Sequence, residues 1–520
     1  MAFVCGCCDE QQLSVEVVEA QQVYPAKHLD DFSEGHDQVP CATKSTTPRA
    51  LTKELRLEKL RQLEVDTEIV RGVPLQVTLR NFGKMWRVSP LTLSEGARNN
   101  LWKKSVHIDS FDVFLSHTWH TKGRWKVLSL LLQSGLSLAL LAWAACVAVM
   151  FFLSSNCLLP LPFEYISRFG DGAKLFCGPW CLLGSFIGHG AGLMLAPYAP
   201  TFCSRAPMCF LDVASINQTD KALMERGVYG IGGFLCKSKE LRMLWSTPYF
   251  TRLWCVFEVA AFRTANPAGR LAFCPLFVEV GSFMCAAGAY FSCFLFMFSI
   301  PLGSVVAPMA SYAIALVPVY VLMHQLRQNA AVKYQLLHDL KQFDLNAVQS
   351  HSDFDRKFVF TAIQAWYGST EAFTQFVQGP LREELLESGQ STIPLKYILL
   401  PLGVMVSLSL DWVVSLLCAE VSADWAVDWL LVDLLTSCFG FSICWFFVSF
   451  KVAVYLCDRF ATPLFPGLLD YVQTFAFFAV FVMMILGGSM AFQSLVGLWD
   501  ALGAASTAFV LATLVWLKMY

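Results

Sequence analysis

Glu258 follows Trp254 by four residues in the run Thr251-Arg-Leu-Trp-Cys-Val-Phe-Glu258, so on a helix the indole and the carboxylate share a face. Leu253, Phe257 and Ala260 then point elsewhere, into the sheet. A carboxylate and an aromatic would thus face one pocket, and the chemistry open to it is stabilisation of positive charge. Ser116, His117 and Trp119 close the apolar run that begins at Phe111. They bring a hydroxyl, an imidazole and a second indole to one stretch of chain. The plainer reading of Glu258 is a solvated or structurally paired residue of an amphipathic helix.

Other chemistry-bearing residues are less organised. Asp411 and Asp433 lie in long apolar runs, where ionisable side chains are expensive and often functional. They could attract cations or carry protons, or be hydrated within about two turns of an interface. With Glu420, Asp424 and Asp428 they make one end of these runs acidic. His189, alone in an apolar run, reads as a packing residue. Cys5, Cys7 and Cys8 lack histidine partners and a second ligand pair, so no metal site is expected; S-acylation fits a membrane protein better. The other cysteines mostly sit in apolar runs and read as buried thiols. Gly227, Gly230, Gly232 and Gly233 do not form a phosphate loop, because no glycine precedes Lys237-Ser238 as that motif requires. Packing of backbone near the sheet is expected of them. No cofactor is called for.

The elements that must position Glu258 follow from apolar patterning. Phe111–His117 and Met208–Val213 read as strands buried on both faces, as in a parallel sheet. Asn217, Thr219 and Asp220 offer N-caps for a helix reaching about Lys237, with Met224, Val228, Ile231 and Leu235 on one face. Leu241–Trp245 is a third strand, Thr251–Phe262 a helix, and Leu271–Val278 a fourth strand. Alternating β and α units predict a doubly wound parallel α/β sheet.

Composition places the rest of the chain in a bilayer. Of 520 residues, 56% are hydrophobic and only 15% charged, against about 25% charged in an average soluble domain. The net charge of −2 gives no reason to expect nucleic acid as a partner. Apolar segments of spanning length occur at about 128–153, 175–197, 282–300, 304–324, 397–418, 429–450, 471–492 and 498–517. Segments three and four are joined by Pro301-Leu-Gly, a tight hairpin. Arg205 to Arg270 and Arg327 to Lys396 supply two basic loops, no lysine or arginine occurs from Tyr397 to Phe450, and Lys451, Arg459 and Lys518 resume. By the positive-inside rule, eight spans paired as four hairpins put both termini in the cytoplasm. No basic stretch followed by an apolar one opens the chain, so no cleaved signal peptide is expected, and Ala2 excludes N-myristoylation.

The expected organisation is therefore an N-terminal cytoplasmic region (1–108), an α/β domain split into 109–127 and 199–281, and transmembrane hairpins at 128–198 and 282–324. A cytoplasmic helical region (325–396) and a four-span membrane region (397–520) follow. Leu51–Leu63 reads as an amphipathic helix. Phe343, Phe354, Phe360, Trp366, Tyr367, Phe373 and Phe376 would form an aromatic core in a collar under the α/β domain. Phe358–Ile363 could add a fifth strand or belong to a helix. The first helix of the α/β domain is expected to run continuously from about Lys122 into the first span.

Phe111-Asp-Val-Phe-Leu-Ser-His117, Phe210-Leu-Asp212 and Trp254-Cys-Val-Phe-Glu258 occur in the order of the motifs of the Toll/interleukin-1 receptor (TIR) domain, which read like "DVFLSF", "FxD" and "WCxxE". The lead-in Tyr249-x-x-Arg-Leu-Trp254 is similar to the family's "Y..S.WC" passage. The resemblance implies a flavodoxin-like sheet with its ligand crevice at the C-terminal ends of the first and third strands, here Ser116–Trp119 and Ser246–Tyr249. Many TIR domains cleave the nicotinamide–ribose bond of NAD with the glutamate of this motif. That implies Glu258 as catalytic residue of an NAD glycohydrolase, with NAD as substrate and Ser116, His117, Trp119 and Trp254 as substrate-binding residues. A carboxylate can stabilise the oxocarbenium-like state, and nicotinamide departs from a cationic ring without needing a proton. Other TIR domains act as scaffolds through homotypic self-association. The chain departs from the family in three ways. Ala214-Ser-Ile-Asn-Gln-Thr-Asp220 lacks the usual glycine, membrane hairpins interrupt the domain, and a fifth strand is not evident. The expected function is a multi-pass membrane protein with a cytoplasmic TIR-like signalling domain. The alternative is an ion or proton channel or transporter, with Asp411 and Asp433 on its pathway and a non-catalytic regulatory cytoplasmic domain.

Overall fold

The structure, a computed structural model, describes residues 63–87, 93–167, 174–199, 206–300, 306–350, 353–388, 393–419, 423–464 and 467–518. The expected amphipathic helix at 51–63 falls almost entirely outside the described residues, as do the Cys5–Cys8 cluster, the hairpin at Pro301–Gly303 and Glu420. Two compact units emerge: an α/β unit (Met1–Val127, Pro200–Pro275, Leu340–Ser388) and a helical unit (Leu128–Ala199, Leu276–Asp339, Gly389–Tyr520).

Eight strands are described: β1 (Arg71–Pro74), β2 (Val106–His107), β3 (Phe111–His117), β4 (Phe163–Ile166), β5 (Lys174–Cys177), β6 (Met208–Phe210), β7 (Ser238–Trp245) and β8 (Arg270–Pro275). In the α/β unit six of them form a mixed sheet in the order β2-β1-β6-β3-β7-β8. β6, β3, β7 and β8 run parallel, with Val113 opposite both Cys209 and Glu240, and Leu244 opposite Cys274. β1 and β2 extend the sheet antiparallel on the β6 side, so part of the chain before residue 108 belongs to the sheet rather than to a separate region. No fifth parallel strand occurs among the described residues; Phe358–Ile363 lies in the helix Asp353–Tyr367.

β3 is buried at every position except Asp112 and His117, as expected of a strand covered on both faces. Phe114 stacks on Phe210 at 4.3 Å between ring centroids, and Phe111 meets Phe210 and Phe234 edge-on. Asp220 caps the helix Lys221–Tyr229, its Oδ1 accepting from the amides of Ala222 and Leu223 at 2.8 and 3.1 Å. The helix expected to continue to Lys237 is broken at Gly230, and Ile231–Cys236 forms a second one. A Cβ on Gly233 would lie 2.5 Å from Cβ of Val65, which explains the glycine as a packing position. The helix Leu253–Ala265 is buried from Leu253 through Phe262.

Among the described residues seven helices are long and apolar enough to cross a membrane: Gly123–Ser155, Trp180–Tyr198, Leu276–Ser299, Leu395–Leu417, Val427–Arg459, Leu468–Gln493 and Leu498–Lys518. The first is a single helix of 33 residues, continuous from Gly123 to Ser155. The fourth expected span falls within the helix Val306–Lys341, which is not among the seven. The second begins at Trp180, not 175: Leu175–Cys177 is spent in β5, which pairs antiparallel with β4, and Gly178-Pro179 separates strand from helix. Lys174, on the side that the basic-residue count assigns away from the termini, is neutralised by Glu164 at 2.6 Å across this ribbon. Arg327 is sequestered with Asp470, Nη2 to Oδ1 at 2.9 Å, and also donates to the carbonyls of Phe460 and Asp470.

Candidate functional site

The strand order reverses beside β3, which lies between β6 and β7. In open α/β sheets that point, outside the strands' carboxyl ends, is where ligands bind. β3 ends there in Ser116-His117 and leads to Thr118-Trp119. β7 ends in Trp245, and a turn in which Tyr249 N–H donates to Ser246 O at 2.9 Å leads into the helix carrying Trp254 and Glu258. β6 runs out through Leu211 into Asp212.

His117, Trp119, Asp212, Trp254, Cys255 and Glu258, with Leu115 and Phe210, line one cavity of ≈ 20 Å³. Ser116 stands behind it: its hydroxyl donates to Oε2 of Glu258 and shares a hydrogen bond with the Tyr249 phenol, all three groups buried. Trp119 Nε1 donates to Asp212 Oδ2 at 2.8 Å, and Val213 N–H donates to Oδ1 at 2.7 Å. The structure therefore brings all five residues expected at the site together, four of them lining the cavity and Ser116 orienting the carboxyl.

Burial pushes the Glu258 carboxyl up to about 8; the Ser116 hydroxyl bond opposes this and the charge of Asp212 adds to it. Glu258 thus rests protonated at neutral pH. Burial also raises Asp212, opposed by the Trp119 and Val213 hydrogen bonds and by Lys126. His117 is driven well below its usual value by burial and then by Lys126, so it is a neutral imidazole. Its Nε2 is sealed without a hydrogen-bond partner. The Cys255 thiol is raised well above its ordinary value by burial and by Glu258, which makes it inert.

Two members of the site were not read as functional from sequence. Asp212 drew notice only as part of a motif. Lys126 looks in sequence like an ordinary basic residue flanking an apolar span. In the structure it is fully buried, its ammonium 5.0 Å from the Trp119 ring centroid, and its Nζ makes no hydrogen bond. A lysine one turn into a helix that follows a polar strand end is the signal that could have found it.

The helix bearing Glu258 is braced from the far side by residues 340–388. Leu253 N–H donates to Gln349 O at 3.2 Å and Gln349 N–H to Thr251 O at 2.9 Å. Tyr367 donates to the Ala260 carbonyl, and Arg263 pairs with Glu384. Phe257 packs on Phe358 and Trp366, not into the sheet as its helical position suggested, because the helix Asp353–Tyr367 covers that face.

The residues expected on an ion pathway sit elsewhere, in the helical unit. Asp411 accepts from the amides of Cys181 and Leu182 at 2.7 and 3.0 Å, capping the helix Trp180–Leu195 from another helix. Asp433 accepts from Ser437 Oγ at 2.7 Å, one turn along its own helix. His189 is a packing residue, bonded to the Tyr290 hydroxyl at 2.6 Å and stacked on Trp143. No group of three or more histidine, cysteine, aspartate or glutamate residues suited to a metal occurs among the described residues.

A cavity of this volume holds about one water. It accommodates no flat heterocycle as it stands, so the geometry is that of a closed site. No protein-family model, curated protein or solved structure matches the chain.

Proposed function

We propose that the chain is a multi-pass membrane protein with cytoplasmic termini, whose α/β unit is a flavodoxin-like, TIR-like signalling domain that cleaves the nicotinamide–ribose bond of NAD. The observation that carries this reading is the placement of Glu258, held by Ser116 and flanked by Trp119 and Trp254, in one cavity at the switch point of the sheet. The parallel order β6-β3-β7-β8 supports it, being the 2-1-3-4 order of flavodoxin-like sheets.

In this reading the closed cavity opens by parting Trp119 from Trp254, and the nicotinamide ring enters between them. The ring is cationic, and positive charge beside Glu258 favours its ionised form. The carboxylate then stabilises the oxocarbenium-like state as the bond from C1′ to the ring nitrogen breaks. The bonding electron pair leaves with nicotinamide, water adds at C1′, and its proton passes to solvent. Self-association of α/β units would couple this activity to signalling. Asp411 and Asp433 enter no step: the hydrogen bonds of Asp411 suit a helix cap better than an ion pathway.

The test is NAD turnover by the detergent-purified full chain, with Glu258→Ala as control. Nicotinamide release that disappears in Glu258→Ala supports the reading. Turnover that survives the substitution removes the assignment of Glu258.

A further inference from the structure

The helical unit carries a second cavity, of ≈ 210 Å³ and partly open, that the proposed chemistry does not use. Its walls are apolar, with Phe296, Leu408, Trp412, Phe441 and Ile485 among them, and no charged side chain lines it. Its polar groups are serine hydroxyls, the Gln493 amide, the Trp412 indole and the Cys293 thiol, and the best organised are on Ser409, Ser437 and Ser442.

The cavity owes this trio to unusual winding. Leu434–Trp445, in the middle of the long helix Val427–Arg459, is a π-helix, a form that recurs at functional sites. On an α-helix, residues 437 and 442 would be turned roughly 140° apart. The wider π coil brings them toward one side, where both meet Ser409 of the helix Leu395–Leu417. The Ser409 hydroxyl lies 2.6 Å from that of Ser442 and donates to the Ser437 carbonyl at 3.3 Å. Ser409 and Ser442 are both almost fully buried.

The Ser409 hydroxyl also reaches the Met405 carbonyl at 3.2 Å, and either serine can donate in the bond it shares with Ser442. The pair is thus a polar spot on an otherwise apolar wall, complementary to one hydroxyl, a group that both donates and accepts. With no charge on the walls to compensate an ion, the occupant must be neutral.

We propose that this cavity binds a small neutral amphiphile, an apolar body of about ten heavy atoms bearing one hydroxyl that hydrogen-bonds to the Ser409–Ser442 pair. The size follows from volume: a dry cavity of about 150 Å³ takes benzene, and this one is larger. The site stands independently of the chemistry assigned to the α/β unit.

The test uses the full chain in detergent and a photoactivatable octanol carrying a diazirine, with a diazirine-bearing octane as apolar comparison. Octanol should label the cavity residues saturably. Ser442→Ala should weaken its half-saturation about five-fold, the equivalent of one neutral hydrogen bond, while leaving octane labelling unchanged. Unchanged octane labelling also shows that the variant has kept the cavity. Ser489→Phe, which fills the cavity, should remove both signals without altering elution or thermal unfolding. Labelling that does not saturate, or octanol labelling unaffected by Ser442→Ala, would overturn the proposal, as would equal loss of both probes in that variant.

Discussion

Buried carboxyl groups are treated differently in the two units. In the helical unit, Asp411 takes two backbone amides, and Glu279 takes the Tyr397 hydroxyl at 3.0 Å, Ser129 at 3.0 Å and Gln133 at 3.1 Å. In the α/β unit, Glu258 is held by the single hydroxyl of Ser116 and faces a cavity, while Lys126, beside the Trp119 ring, makes no hydrogen bond. A buried carboxyl with its lone pairs filled by fixed donors is a structural element. One held by a single partner beside a cavity retains capacity for chemistry, and folding gains less from it. The contrast bears on the two functional classes that the sequence leaves open, because they rest on different carboxyls.

The contrast can be broken by substitution. The largest effect is expected at Asp411→Ala, which strands two buried amides at a helix start and should destabilise the protein by about 4 kcal/mol in detergent unfolding. If Asp411→Ala unfolds like wild type, its hydrogen bonds are not structural and the ion-pathway reading regains ground.

A second test turns on pH. Glu258 holds its proton more tightly folded than unfolded, so between about pH 4.5 and about pH 8 the folded chain binds more protons. Stability from this group is fully present below the unfolded value and is lost as pH rises to about 8. Glu258→Gln should remove that slope, and above pH 8 it should unfold at a higher temperature than wild type. An identical slope in the variant would show that Glu258 is not the buried acid described.

Smaller effects follow around the cavity. Lys126→Met replaces a buried amine that makes no hydrogen bond by an apolar chain of similar length. Thermal unfolding should show a gain of about 1–2 kcal/mol, because a buried polar group without a partner is removed. Trp119→Phe removes the indole donor from Asp212 and should cost about 1 kcal/mol on the same measurement. A loss in Lys126→Met would mean that the lysine is fully compensated, which would erase the contrast between the units.

Much of the α/β sheet was legible because its strands are short apolar runs separated by recognisable caps; Phe111–His117 and Asp220 needed no tertiary information. The helix face shared by Trp254 and Glu258 was likewise fixed by spacing. The antiparallel strands β1 and β2 were hidden, since Arg71–Pro74 and Val106–His107 carry too few apolar residues to show a period. Lys126 was missed because its burial comes from Trp119 and neighbours distant in sequence. The role of Asp411 was invisible for the same reason: its partners, Cys181 and Leu182, are backbone amides some 230 residues away. The reversal of Phe257 shows that a helical wheel gives relative directions but not which neighbour lies in each.

Nicotinamide release by the detergent-purified chain, measured from pH 6 to 9 beside Glu258→Gln, tests the central claim most directly. Release should rise with pH as Glu258 ionises toward about pH 8, opposite in sign to the stability trend, and should fall at least about 10²-fold in the variant. Release that is equal in the two proteins, or independent of pH across that range, would contradict the assignment of Glu258 as the catalytic carboxylate.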